Sequence, residues 1–274
     1  NNVGNALKHL GGPDEALKSY TRAVEINPAF EDALMNRWRL LFDAGSFHAA
    51  LRDVSRCRSQ QASANMLETL YALGRVDEVY ERIAELAETD PKNIRIAAFS
   101  AFLKSQEGQK TCYDFCDDPL SFVHFANLSS QITNVPRFTS DLVAELQEIT
   151  NVWEPANRAT HKGLRTPTHL NLFSSPSGRL AELELVVRRE IEAYKKKFLG
   201  ESCSYVTKWP TVTSLHGWCV NLQRQGYQSL HIHPAGWLSG VVYLKVLSPT
   251  SATEGAIEFS LNGKNYTQGD APGI

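Results

Sequence analysis

The sequence predicts an α+β chain: a helical first hundred residues, followed by a mixed segment that closes on an antiparallel sheet. Three observations carry this. The first hundred residues match themselves, at a step of 34 and then a shorter one, aromatic and Pro-containing turns break the rhythm from about 111, and β-branched, alternating stretches dominate after 200. At 274 residues the chain exceeds one average domain of roughly 150 residues, and the expected extents are 1–110 and 111–274, with the change of texture between 100 and 120.

In the first part, "GGPDEALKSYTRAVEINP" places Ala16, Tyr20, Ala23 and Pro28 at successive offsets of 4, 3 and 5. "AGSFHAALRDVSRC" repeats this with Ala50, Val54 and Cys57, and "LGRVDEVYERIAELAETDP" with Val79, Ile83, Leu86 and Pro91. Small residues at these points let paired helices approach closely, and Pro28 and Pro91 stop the second helix of each pair. The pattern resembles the tetratricopeptide repeat over about residues 1 to 95. That resemblance implies a solenoid whose concave face holds a peptide or protein partner; the alternative is a helical extension that only packs on its neighbour.

Past 111 one strong helix is expected over 178–200, "GRLAELELVVRREIEAYKKKFLG", with Ser177 at its start and Gly200 at its end. Strands are expected in "SYVTKWPTVTSLHGWCVNLQRQG", "WLSGVVYLKV" and "GAIEFSLNG".

A net charge of −2 gives no whole-chain reason for a nucleic-acid or anionic-membrane partner. The tight basic run "YKKKF" at 194–198 reads as a solvated helix face. No run reaches the roughly 18 apolar residues of a membrane span. Five scattered cysteines, Cys57, Cys112, Cys116, Cys203 and Cys219, do not form a disulfide framework and fit a reducing compartment, so a cytoplasmic protein is expected. No Gly-x-Ser-x-Gly, Walker loop or dinucleotide fingerprint is present, which leaves hydrolase, nucleotide and NAD chemistry without support.

The chemistry-bearing feature is "HIHPAGWLSGVVYL" at 231–244. In extended chain, His231 and His233 project from one face with Cα atoms about 6.5 Å apart, so two imidazoles can converge on one ion at about 2.0–2.1 Å each. Pro234 and Gly236 then bend the chain. In the run that follows, Trp237, Ser239, Val241, Tyr243 and Lys245 alternate with an apolar set, and Ser239 and Tyr243 share the histidine face if parity survives the turn.

"WCVNLQRQGYQSLHIHPAGWLSGVVYLKV", with "GAIEF" from Gly255 and the earlier "RATHKGLRTPTHLNLF", resembles the iron(II)- and 2-oxoglutarate-dependent oxygenases. It is closest to a bacterial branch in which tetratricopeptide repeats precede a His-x-His-Pro and Ser-Gly-x-x-Tyr oxygenase domain. The resemblance implies a double-stranded β-helix jelly roll with Fe(II) and 2-oxoglutarate at its open end. His231 is the implied first metal ligand. His233 takes the second position, where the wider superfamily carries Asp or Glu, so the usual two-His-one-carboxylate triad cannot be assumed. Tyr243 falls where a tyrosine often meets 2-oxoglutarate, and Ser239 and Lys245 are further cosubstrate candidates. The superfamily's distal histidine and carboxylate-gripping Arg or Lys would follow Ile274; the expectation is a C-terminally incomplete barrel from a longer protein.

The expected reaction is hydroxylation, with a peptide or protein side chain as substrate. Two rivals stand beside it. A cupin-type metal barrel also uses His-x-His but expects a Glu shortly after it, where this chain has Pro234 to Leu238; a repeat-based scaffold with a non-catalytic barrel would bind partners without metal. Lesser candidates are Cys112, Cys116 and His124 as zinc ligands, His161 and His169 near the pocket, His216 beside Trp218, and Glu258 as a metal carboxylate. Each has an ordinary structural reading as buried cysteine, loop histidine, core aromatic or solvent-facing acid.

Overall fold

A computed structural model describes residues 1–155, 158–246, 254–263 and 266. The chain divides into two compact units: Asn1–Asp117 with the described residues from Ser260 on, and Asp118–Phe259.

The first unit holds seven helices among the described residues: α1 Asn2–His9, α2 Pro13–Ile26, α3 Glu31–Asp43, α4 Phe47–Val54, α5 Gln60–Ala72, α6 Val76–Thr89 and α7 Ile94–Glu107. Their ends follow local chemistry. Pro13 opens α2 with Asp14 and Glu15 in the first turn, where a missing N–H costs nothing and negative charge suits the helix dipole. The Ser59 hydroxyl accepts from Ala62 N at 3.3 Å, Asn93 Oδ1 from Arg95 N at 3.1 Å, and Gly108 ends α7 in the left-handed region.

Contacts run between successive helices from α1 to α6, and α5 also meets α7. Ala16, Tyr20, Ala50, Val79 and Ile83 are wholly buried and Val54 nearly so, so the first two positions of each repeat are core, while Ala23, Cys57 and Leu86 are half-buried. Gly4 shows why small residues sit at the crossings: a Cβ there would lie 2.5 Å from the Tyr20 ring. Trp38, almost fully buried, donates its indole N–H to Thr69 Oγ1 at 2.9 Å, and each such large apolar side chain contributes about 2–3 kcal/mol by burial.

The second unit contains α8 Val135–Gln147, β1 Val152–Trp153, β2 Thr160–Arg165, α9 Gly178–Lys197, the single turn α10 Ser204–Thr207, and β3 Val220–Gln228. Phe138, Leu142 and Leu146 of α8 bury against Leu180 and Leu183 of α9, with Phe173, Cys219 and Leu244 packed around them. Arg179 ties the two helices through Asp141 at 2.8 Å. The strands form one antiparallel sheet in the order β1-β2-β3. Thr160 pairs with Gln228, His161 with Tyr227, Gly163 with Leu222 and Arg165 with Val220. Between the second and third of these pairs β2 advances two residues while β3 advances five, a bulge that places Lys162 and Gln225 at positive φ.

Several expected strands are absent. Residues 204–207 form a helical turn, and neither 237–246 nor 255–259 is a strand. Period-2 alternation marks a chain that fits a sheet, but a strand exists only where a neighbour takes its backbone hydrogen bonds. Val241, Tyr243 and Val246 stand exposed with no ladder beside them. Among the described residues the sheet is therefore three-stranded, and no closed jelly roll is present. Sequence periodicity also left out the partner strands β1 and β2, which precede α9. No described helix is long and apolar enough to cross a membrane.

Candidate metal centre

The segment carrying the histidines is positioned from both sides. The ladder of β2 and β3 continues beyond Arg165, where Thr166 N donates to Cys219 O at 3.0 Å and Cys219 N to Thr166 Oγ1 at 2.9 Å. Asn171 then clamps the next stretch, its Nδ2 donating to Leu215 O at 3.0 Å while its Oδ1 accepts from Gly217 N at 2.8 Å. Gly217 is required here, because a Cβ would lie 2.4 Å from the Phe173 ring. These bonds hold Trp218 just before β3. At the other end of β3, Ser229 N donates to Ala159 O at 2.9 Å, which fixes the chain two residues before His231.

His231 is exposed and His233 half-buried. Their rings meet edge to face, with centroids 4.8 Å apart and planes at 78°. His231 Nδ1 lies 2.6 Å from the Ser229 carbonyl; that oxygen can only accept, so Nδ1–H donates to it and Nε2 is the nitrogen left for a metal. This is the usual way a protein fixes the tautomer of a metal-binding imidazole. The His233 ring packs 5.4 Å from Trp218. Burial, then the neighbouring His231 and Arg165, hold its pKa below the ordinary histidine value, which keeps it neutral and able to donate to a metal. Gly236 N closes a turn onto His233 O at 3.0 Å with Pro234 next in line. Trp237 pins the far side by donating to Tyr205 O at 3.1 Å.

Two imidazoles bound to one ion at about 2.1 Å and roughly a right angle hold their centroids about 4.5–5 Å apart. The observed separation fits that arrangement. Among the described residues no group of three or more His, Cys, Asp or Glu side chains gathers to hold an ion, so the pair supplies two positions and not a third.

The remaining candidates lie elsewhere. Ser239 and Lys245 are exposed, Tyr243 is 53% exposed, and none makes a hydrogen bond to either imidazole among the described residues. Glu258 and His169 are exposed. His161 stacks on Tyr227 at 4.7 Å, and exposed His216 lies 6.0 Å from Trp218. His124 bonds Glu190 at 3.1 Å in the second unit, whereas Cys112 and Cys116 belong to the first; these three form no metal-binding group. Sequence reasoning missed Arg165, the only buried arginine among the described residues, whose guanidinium lies 4.9 Å from the Trp218 ring. Its signal was the arginine that closes "THKGLR", but only the pairing of β2 with β3 brings it to Trp218.

A family model described as "Putative 2OG-Fe(II) oxygenase" matches residues 216–271, a stretch that includes Trp218, His231 and His233. No curated protein matches the chain significantly.

Proposed function

We propose that the chain carries an Fe(II)- and 2-oxoglutarate-dependent oxygenase domain, with His231 and His233 as two of its metal ligands. The single observation that carries this reading is the imidazole pair, 4.8 Å between centroids, lying inside the segment matched by the oxygenase family. The donor set suits a ferrous ion, since neutral imidazole nitrogens are among its ordinary ligands. Bound iron with 2-oxoglutarate supplies oxidation of an unactivated C–H bond by dioxygen.

The chain's own residues have simpler tasks. Ser229 holds the His231 ring so that Nε2 faces outward. Trp218 backs His233 and keeps water from one side of it. Ser239, Tyr243 and Lys245 are the proposed cosubstrate contacts, and a double-stranded β-helix around the pair is the architecture this reading requires. The helical first unit is proposed to act as a tetratricopeptide-like solenoid that presents a peptide or protein substrate, in a cytoplasmic enzyme.

Anaerobic titration of the full-length protein with Fe(II) and 2-oxoglutarate tests the reading. The expected result is a visible metal-to-ligand charge-transfer band and succinate formation in air, both lost in His231→Ala and His233→Ala. Absence of band and succinate from the unsubstituted full-length protein overturns it and leaves the helical unit as a binding scaffold.

A further inference from the structure

Arg165 is 8% exposed, and among the described residues no acid answers its charge. Two other guanidinium groups meet acids: Arg37 meets Asp53 at 2.6 Å, and the more open Arg179 meets Asp141 at 2.8 Å and Glu182 at 2.7 Å. Arg165 forms no ion pair among the described residues. Its hydrogen bond there runs from one terminal nitrogen to the neighbouring Thr166 carbonyl at 3.0 Å. Burial works against its charge, and so does Arg158. A desolvated, unpaired cation is expensive, and natural structures bury one where an anion will meet it.

The geometry around it suits a planar anion. Trp218 lies under the guanidinium at 4.9 Å, and the same indole carries the His233 ring at 5.4 Å. Arg165 stands in register with Val220, two residues beyond Trp218, so strand pairing rather than a mobile loop sets its position. A guanidinium backed by an aromatic plane keeps its fork free for two parallel hydrogen bonds, which a carboxylate accepts best.

We propose that Arg165, backed by Trp218 and next to His233, is the receptor for a carboxylate on a bound ligand. The carboxylate comes either from 2-oxoglutarate or from an acidic acceptor. Its description as part of an oxygenase pocket rests on the function proposed above; the carboxylate site itself does not need iron.

The test titrates the whole chain, with and without Mn(II), against 2-oxoglutarate and against a glutamate-rich peptide, following tryptophan fluorescence and calorimetric heat. Wild type, Arg165→Met and Arg165→Lys are compared, with exposed Arg224→Gln as a charge control. Loss of one charge-assisted fork should weaken binding about ten- to a hundredfold in Arg165→Met, less in Arg165→Lys, and little in Arg224→Gln. The melting temperature of unliganded Arg165→Met should equal or exceed that of wild type, because the substitution removes an unpaired buried charge. Binding of 2-oxoglutarate alone assigns the cosubstrate as source, and binding of the peptide alone assigns the acceptor. Equal affinity in wild type and Arg165→Met, no binding of either probe by wild type, or unfolding of unliganded Arg165→Met overturns the proposal. Fe(II) uptake is read separately. A chain that takes no iron yet binds carboxylate through Arg165 sinks the oxygenase reading and leaves this site standing.

Discussion

Arg37 of α3 holds Asp53 of α4 through two hydrogen bonds, 2.7 Å from Nε and 2.6 Å from a terminal nitrogen, and Asp53 is 3% exposed. Truncating one member of a buried ion pair strands the other. Asp53→Ala should therefore cost about 3 kcal/mol, the low end of that class, because the Arg37 side chain keeps a 17% route to water. Urea unfolding followed by circular dichroism measures this, and a change below about 0.5 kcal/mol would contradict a structural role for the pair.

Glu31, at the start of α3, reaches the cap of α5. Its carboxylate accepts from Ser59 N at 2.9 Å and Arg58 N at 3.3 Å. A side-chain hydrogen bond with Ser59 holds its pKa below the ordinary 4.5, opposed by burial and helped to a lesser degree by these two amides. A depressed carboxylate contributes stability that is present above its unfolded value and disappears as pH falls through the lower folded value. Glu31→Gln should lower stability at pH 7 by a few tenths of a kcal/mol, since the site is partly solvated, and flatten the decline in melting temperature below about pH 4.5.

Gly226 lies in the bulge of β3, where a Cβ would fall 2.5 Å from the Lys162 carbonyl oxygen and 2.9 Å from that of Gln223. Both obstacles are backbone, so neither can swing aside. Gly226→Ala should destabilise the second unit by about 1–3 kcal/mol, while Gly240→Ala, with nothing within 4 Å of its Cβ, should be close to neutral. Parallel thermal melts of the two variants decide the point.

Thiol chemistry should separate the cysteines. Burial, then Glu31 and Asp53, push the Cys57 thiol up to about 11, and burial raises Cys219. The nucleophile is the thiolate, so iodoacetamide at pH 8 should label exposed Cys112 well before either. Mass spectrometry of a time course reads the order, and early labelling of Cys57 would contradict its burial.

Much of the helical architecture was legible because its signals are local. Ala16, Tyr20 and Ala50 repeat at contact positions, and Ser177 precedes α9, which runs from Gly178 as the pattern implied. The sheet was legible only around 220–228. Its partners, Val152–Trp153 and Thr160–Arg165, carry no strong alternation, and pairing across some sixty residues leaves no trace in periodicity. The alternating run at 237–246 misled for the opposite reason, because its pattern is clear and its partner is not beside it. At the site, the His231–His233 spacing was visible, but Arg165 was not. Its nearness to Trp218 depends on register, which the bulge resets.

That bulge limits which deletions the sheet can absorb. Leu222 and Tyr227 are five apart, an odd number, yet they face Gly163 and His161, which are two apart. Removing three residues from 223–226 would restore a regular ladder with both pairings intact, whereas removing one or two would throw one pairing out of phase. Everything downstream through Ser229, including the two imidazoles, inherits that arithmetic: this strand pair tolerates shortening of β3 only in a step of three.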